Sequence, residues 1–176
     1  MSVSPRPLSA VIGAGLILGA AWLSPLAVAD PGDPPAPPAP ADPPSSLIES
    51  LSKGYSPSNC TAQQTATGVW AMQCGQNADQ NGPIFAKYLQ LPDTTVLKSS
   101  FANSITADTL TNCGGAKSPS SYHAGSSTAP AGQVACGTYQ DHAEIIWTVD
   151  EKNVMGLVRS GTADVDALYQ WWRDNS

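Results

Sequence analysis

The two histidines of the chain are the side chains best suited to chemistry near neutral pH, because imidazole titrates there. His142 stands beside Asp141 and close to Glu144 in a polar segment between two apolar runs, an arrangement that could form a metal site or a pH-sensitive site. His123 follows Tyr122 in a serine-rich loop, where a hydrolase would combine a serine, a histidine and an aspartate. The alternative is that both histidines are exposed turn or loop residues with no chemical role.

The signatures that usually accompany catalysis are missing from the sequence. It contains no Gly-x-Ser-x-Gly motif and no Ser-x-x-Lys pair at the start of a predicted helix. The polar segment 76–82 contains Asp79 and Asn81 but lacks the spacing and the terminal glutamate of a calcium-binding loop. We therefore expect a non-enzymatic protein with no cofactor and no metal, and a secreted hydrolase is the alternative.

The four cysteines are an even set that fits two disulfides. They are Cys60, Cys74, Cys113 and Cys136, and their spacing matches no zinc ribbon. Three pairings are possible, and the sequence alone does not choose between them. Pairing of sequence neighbours is the default, so we predict Cys60–Cys74 and Cys113–Cys136.

Residues 1–29 have the features of a signal peptide. Arg6 precedes an apolar run over residues 10–23, Pro25 breaks that run, and residues 27–29 read Ala-Val-Ala, so we predict cleavage before Asp30. A retained membrane anchor is the alternative. The predicted location is therefore extracytoplasmic, in the cell envelope or secreted. Residues 30–45 form a Pro/Ala-rich linker, since eight prolines in residues 30–44 favour an extended polyproline conformation.

The charge of the chain limits its partners. Lys and Arg together number 8 against 14 Asp and Glu, which gives a formal net charge of −6. Phosphate backbones repel such a chain, so we expect no nucleic-acid partner. We also expect no stable membrane insertion after signal cleavage. The predicted partner is an envelope ligand or protein whose identity the sequence leaves open.

Residues 46–176 are predicted to form one disulfide-stapled α+β domain. Alternation of apolar and polar residues predicts a hairpin over residues 67–75 and 84–91, a three-stranded meander over residues 133–160, and a short irregular strand near Tyr122. Helical periodicity predicts helices over residues 45–53, 93–105 and 164–174. The expected architecture is an antiparallel sheet of about five strands with the helices packed on one face.

Two adjacent tryptophans, Trp171 and Trp172, stand out in the predicted last helix. Neighbouring helical positions point about 100° apart, so both rings cannot occupy the centre of one apolar stripe. One ring is expected in the core and the other at the surface, where tryptophan often anchors a ligand or partner. We name Trp171, Trp172 and Tyr139 as candidate contact residues, and a wide buried helix face is the alternative.

Several short motifs together resemble a known domain. The motifs are Gly54-Tyr55, Cys74-Gly-Gln-Asn77 with Gly82-Pro83, the lone Cys113, Gly132-Gln-Val-Ala-Cys-Gly-Thr-Tyr139, Ile146-Trp-Thr148 and Ala167-Leu-Tyr-Gln-Trp-Trp172. Over about residues 46–173 they resemble an extracytoplasmic domain of mycobacteria and related actinobacteria, whose members are small secreted or anchored proteins of unknown function. Similar domains form the outer, sensor-like part of some membrane Ser/Thr kinases. The resemblance implies a sensor-like or ligand-binding role and supplies no catalytic residue.

Overall fold

The structure is a computed structural model, and it describes residues 42–176. The predicted signal peptide and residues 30–41 of the predicted linker lie outside the described residues. Within residues 42–176, no helix is both long enough and apolar enough to cross a membrane.

Eight strands form a single antiparallel sheet, and three α-helices accompany it. The strands are β1 (Cys60–Ala66), β2 (Val69–Cys74), β3 (Phe85–Gln90), β4 (Thr109–Thr111), β5 (Ser120–Tyr122), β6 (Gly132–Tyr139), β7 (His142–Val149) and β8 (Val154–Arg159). The helices are α1 (Ser45–Ile48), α2 (Thr94–Ser104) and α3 (Val165–Asn175). The sheet order is β1-β2-β3-β8-β7-β6-β4, and β5 also pairs with β6.

The hairpin of β6 and β7 is the centre of the second half of the sheet. Tyr139 pairs with His142, so only Gln140 and Asp141 form the loop, with φ angles of 50° and 63°. Two successive residues with positive φ give a type I′ turn, whose twist matches that of the strands beside it. The hairpin of the predicted meander is confirmed, and its loop consists of these two residues.

The helices pack on both faces of the sheet, so the prediction of helices on one face is wrong. Ile145 and Ile146 are adjacent in β7, point to opposite faces and are both buried. The Ile145 face packs against Trp172 of α3, whereas the Ile146 face packs against Leu97 and Phe101 of α2. The physical reason is that β7 is buried along nearly its whole length on both faces, which requires a covering helix on each side.

The sheet has eight strands rather than the predicted five or so. The predicted short strand near Tyr122 is β5, but β1 and β4 were not predicted. The sequence of β1, Cys-Thr-Ala-Gln-Gln-Thr-Ala, has no apolar alternation because most of the strand is exposed at the edge of the sheet. The fully exposed β4 spans only three residues. The first helix is also shorter than predicted and ends at Ile48.

Both predicted disulfides are confirmed. Cys60 and Cys74 lie directly opposite each other in the β1–β2 ladder, with 4.1 Å between their Cα atoms. Cys113 and Cys136 join the loop before β5 to the middle of β6, with 5.3 Å between their Cα atoms. The first bond fastens the edge strand to the sheet, and the second fixes the loop that leads to β5.

Candidate functional site

A cavity of about 630 Å³ lies on the sheet face that α3 covers. Its inner wall is formed by Val134 of β6 and Trp147 of β7, and α3 contributes Tyr169 and Trp172. Tyr122 of β5 closes one side. The segment that directly follows α1 (Glu49–Leu51) and the loop after β5 also reach the rim. A pocket of this size is within the usual range for small-molecule sites.

Trp172 is the centre of an aromatic cluster at this cavity. Its ring stacks on that of Tyr169, with 5.7 Å between centroids, because the two residues are three positions apart on α3. Edge-to-face contacts join it to Tyr122 at 5.0 Å and to Trp147 at 5.9 Å. Such ring pairs add stability beyond the area they bury. The aromatic residues of the cavity wall are therefore packed against one another.

The indole N–H of Trp172 has no hydrogen-bond partner among the described residues, and it is the only buried side-chain polar atom there without one. A buried donor without an acceptor costs about 1–3 kcal/mol. This atom is itself closed to solvent, so the cost lies within the packed aromatic cluster and the N–H is not a group exposed in the cavity.

Polar and charged side chains surround the mouth of the cavity. Ser120, Ser121 and His123 border it on the β5 side. Lys152 lies 3.3 Å from the carboxylate of Glu49, and this exposed ion pair joins the residue that follows α1 to the turn before β8. Arg173 of α3 also borders the cavity and forms no ion pair with any residue that the structure describes. The cavity therefore combines aromatic walls with hydrogen-bonding and charged groups at its mouth.

Tyr122 has a structural role in this wall. Its hydroxyl donates a hydrogen bond to the carbonyl oxygen of Thr148, at 2.9 Å. Burial raises the pKa of Tyr122 to about 12, and the nearby carboxylate of Asp150 adds to the effect. The phenol is therefore neutral at physiological pH and already engaged. The hydrogen bond of the hydroxyl can fix the orientation of the Tyr122 ring, but the hydroxyl is unsuited to act as an acid or a base.

The cavity offers no arrangement for nucleophilic catalysis among the described residues. Ser121 accepts a hydrogen bond from the side-chain amide of Gln133, at 2.8 Å, and His123 is exposed and forms no hydrogen bond with a serine of residues 42–176. No group of three or more His, Cys, Asp or Glu side chains in that range is placed to hold a metal ion. His142, in the β6–β7 hairpin, instead has Nδ1 3.0 Å from the carbonyl oxygen of Ser160.

The three candidate contact residues do not come together in the structure. Trp172 lines the cavity. Trp171 points elsewhere and meets the ring of Tyr55, with 6.4 Å between centroids, and it is not part of the cavity wall. Tyr139 lies on the opposite face of the sheet, 4.8 Å below the guanidinium of Arg159. Of the three, only Trp172 is placed to contact an occupant of the cavity.

Sequence reasoning missed three other aromatic residues of the wall: Tyr122, Trp147 and Tyr169. Tyr169 could have been found, since its spacing of three from Trp172 places both on one side of a helix. Tyr122 and Trp147 could not, because their meeting depends on the pairing of both β5 and β7 with β6.

A second cluster of charged and aromatic side chains lies on the opposite face, beyond α2. Arg159 donates from Nε to Glu144 Oε2 at 2.7 Å, and its Nη2 lies 2.6 Å from the same oxygen. The rings of Tyr139 and Phe85 lie 4.8 and 5.7 Å from the guanidinium. Glu144 is buried, and burial raises the pKa of its carboxyl although Arg159 opposes that shift. This cluster fixes the end of the sheet, and its groups are already paired with one another.

Asp108 makes this cluster sensitive to pH. Burial, helped by the charge of Glu144, raises the pKa of Asp108 from 3.8 to about 6, although Arg159 lowers it. The folded protein thus binds this proton more tightly than the unfolded chain does. Its charged form costs stability at neutral pH, and that cost is relieved as the pH falls from about 6 towards 3.8.

We expect Asp108→Asn to raise the free energy of unfolding at neutral pH by about 0.5–1 kcal/mol, a modest value because solvent screens a half-buried carboxylate. The same substitution should reduce the gain in stability of the wild type between neutral and mildly acidic pH. Denaturant unfolding across this pH range measures both effects. Asp141→Asn, on an exposed turn carboxylate, is the control and should leave the pH profile unchanged. An Asp108→Asn profile parallel to that of the wild type would contradict the assignment.

Comparisons with known proteins add no family to this description: no protein-family model, no curated protein and no solved structure matches the chain. The resemblance to actinobacterial extracytoplasmic domains therefore remains a prediction from the sequence motifs.

Proposed function

We propose that this protein is a non-catalytic ligand-binding domain of the cell envelope, sensor-like in character, and that the cavity beside α3 is its binding site. The observation that carries the proposal is the aromatic wall around Trp172 with polar groups at its mouth. Largely preformed pockets with apolar walls and a few polar groups are typical of small-molecule sites. The close packing of these rings favours binding, because side chains that are already packed lose little entropy when a ligand binds.

An extracytoplasmic location is part of the proposal. Residues 1–29 have the pattern of a signal peptide, and the two disulfides are typical of an oxidising compartment. The proline-rich residues 30–44 would then act as an extended spacer between the domain and the membrane across which it is exported. If the signal segment were retained as a membrane anchor, the proposed binding domain would be the same and would be attached to the membrane.

The chemistry of the cavity favours a small amphipathic ligand. One flat apolar part would pack against Trp172 and its neighbours, and hydroxyl or amide groups would meet the serines of the mouth. Strongly anionic polymers are poor candidates, because the chain is acidic and Glu49 also borders the opening.

The adjacent tryptophans provide a matched pair of variants for testing this site. We expect Trp172→Phe to weaken binding of a cavity ligand at least tenfold, which corresponds to about 1.4 kcal/mol. The smaller ring removes part of the aromatic surface that Trp172 contributes to the cavity wall. Trp171→Phe should leave the affinity unchanged, because Trp171 faces Tyr55 and not the cavity. Calorimetric titration with aryl glycosides and aryl amides, chosen as simple amphipathic probes, measures the effect.

The outcomes separate the three kinds of function. Equal weakening by both variants would contradict the assignment of the site. Labelling of the wild type by an activity-based serine probe would favour a secreted hydrolase. The absence of saturable binding to any small molecule would favour a structural or interaction protein of the cell wall.

A further inference from the structure

Within residues 42–176, the outer edge of β1 is a row of backbone hydrogen-bonding groups with no partner strand. β1 is the first strand in the sheet order, and β2 is its only strand neighbour among residues 42–176. Unpaired strand edges attract further strands, and natural proteins usually protect them.

The register with β2 identifies which groups face outward. Cys60 and Cys74 are directly opposite with only 4.1 Å between Cα atoms, the close spacing of a pair that exchanges no backbone hydrogen bonds. In an antiparallel ladder such pairs alternate with hydrogen-bonded ones. The backbone groups of Cys60, Ala62 and Gln64 therefore point away from β2, whereas those of Thr61 and Gln63 bond to it.

β1 lacks the usual side-chain protection of an edge. Its seven residues include no proline and no charge. Its ladder is regular from Cys60 to Gln64, and the only irregularity comes after Gln64. The opposite edge of the sheet is different, because β4 and β5 are two separate three-residue strands. Only the β1 edge offers a continuous row.

We propose that this edge pairs with the same strand of a second copy of the chain, antiparallel and about a two-fold axis. With Ala62 opposite Ala62, Cys60 of each copy faces Gln64 of the other, so all three outward residues find partners at once. Such a contact is self-complementary, as a two-fold interface must be.

The charge of the molecule favours a second copy as the occupant. The whole chain carries −6, yet β1 is neutral, so two copies can approach at this strand without placing like charges across the interface. The proline-rich residues 30–44 are poor occupants, because proline has no N–H to donate to a ladder. A strand pair alone is a small interface, so the dimer should be weak and should form only at high concentration.

Sedimentation equilibrium of residues 30–176, measured from micromolar to millimolar concentration, tests this proposal. The average mass should approach twice that of the monomer at high concentration. Gln63→Lys should abolish the increase, because two copies would place like charges within about 7–8 Å of each other across the new pair. Gln73→Lys is the matched control: it adds the same charge on an exposed position one strand further in and should dimerise like the wild type. Thermal unfolding checks that both variants remain folded.

Amide hydrogen exchange locates the contact. The amides of Ala62 and Gln64 should exchange more slowly at high concentration, while those of Thr61 and Gln63 should already be slow. A monomer mass at every concentration would overturn the proposal, and so would a Gln63→Lys variant that dimerises normally. Dimerisation without protection of Ala62 and Gln64, or binding of an unrelated peptide at β1 to a monomer, would overturn it as well. Each of these results is independent of ligand binding in the cavity.

Discussion

Replacing Arg159 with methionine at neutral pH is expected to lower the free energy of unfolding by about 3–5 kcal/mol. Arg159 is the only cation that forms an ion pair with the buried Glu144 in the described part of the chain. Its removal leaves the buried carboxylate of Glu144 without a counter-charge. An uncompensated buried charge costs more than the loss of a surface ion pair, which is typically below about 1 kcal/mol.

The pH dependence and a double variant distinguish this cause from a general packing defect. Glu144 already has a raised pKa, so protonation of its carboxyl relieves the cost as the pH falls. The destabilisation by Arg159→Met should therefore be largest at neutral pH and smaller in mild acid. Adding Glu144→Gln should recover much of the lost stability at neutral pH. Denaturant unfolding gives these values, and a loss that is unchanged by pH and by the second substitution would contradict the account.

The second large effect is expected at Gly156. This residue lies opposite Trp147 in the β7–β8 ladder, and a Cβ atom there would overlap the indole ring. Trp147 cannot move aside without disturbing the rings of Tyr88 and Trp172. We expect Gly156→Ala to lower the free energy of unfolding by about 3 kcal/mol, at the upper end of the usual cost of overpacking.

Gly75→Ala is the matched control, because no atom lies within 4 Å of the added methyl group. Its expected effect is within about 0.5 kcal/mol. Pairing Gly156→Ala with Trp147→Phe should restore part of the stability, since the smaller ring makes room. Near-ultraviolet circular dichroism should show a changed tryptophan signal for Gly156→Ala alone. If Gly156→Ala were as stable as Gly75→Ala, the close packing of Trp147 on β8 would be wrong.

The sequence predicted those parts of the fold that depend on local pattern. The β6–β7 hairpin and both disulfides follow from residue types and near neighbours, and the structure confirms them. β1 was not predicted, because its side chains show no alternation of apolar and polar residues. The strand is held in the sheet by backbone pairing with β2 and by the disulfide of Cys60, and neither produces a periodic sequence pattern. The packing of helices on both faces of the sheet was not predicted, because a strand that is buried on both faces, such as β7, shows no alternation of apolar and polar residues.

Of the residues that form the candidate site, the sequence predicted only Trp172. Trp172 stood out as half of a tryptophan pair, and the helix geometry correctly indicated that its neighbour would point elsewhere. The cavity itself depends on Tyr122 and Trp147, which lie 25 positions apart in the chain (147 − 122 = 25) and meet only through the strand order. Tyr139 was also named as a candidate, but its position in the β6–β7 hairpin places its ring on the other face of the sheet, against Arg159.

The most direct test of the central claim is a titration of residues 30–176 followed through the indole N–H signals of the tryptophans. The probes are small aryl glycosides and aryl amides, which match the aromatic wall and the polar mouth of the cavity. The account predicts a saturable shift of the Trp172 indole signal, smaller shifts at Trp147, and none at Trp70, which does not line the cavity. Saturable shifts confined to Trp70 or Trp171, or no saturable shift at Trp172 with any probe, would contradict the assignment of this cavity as the binding site.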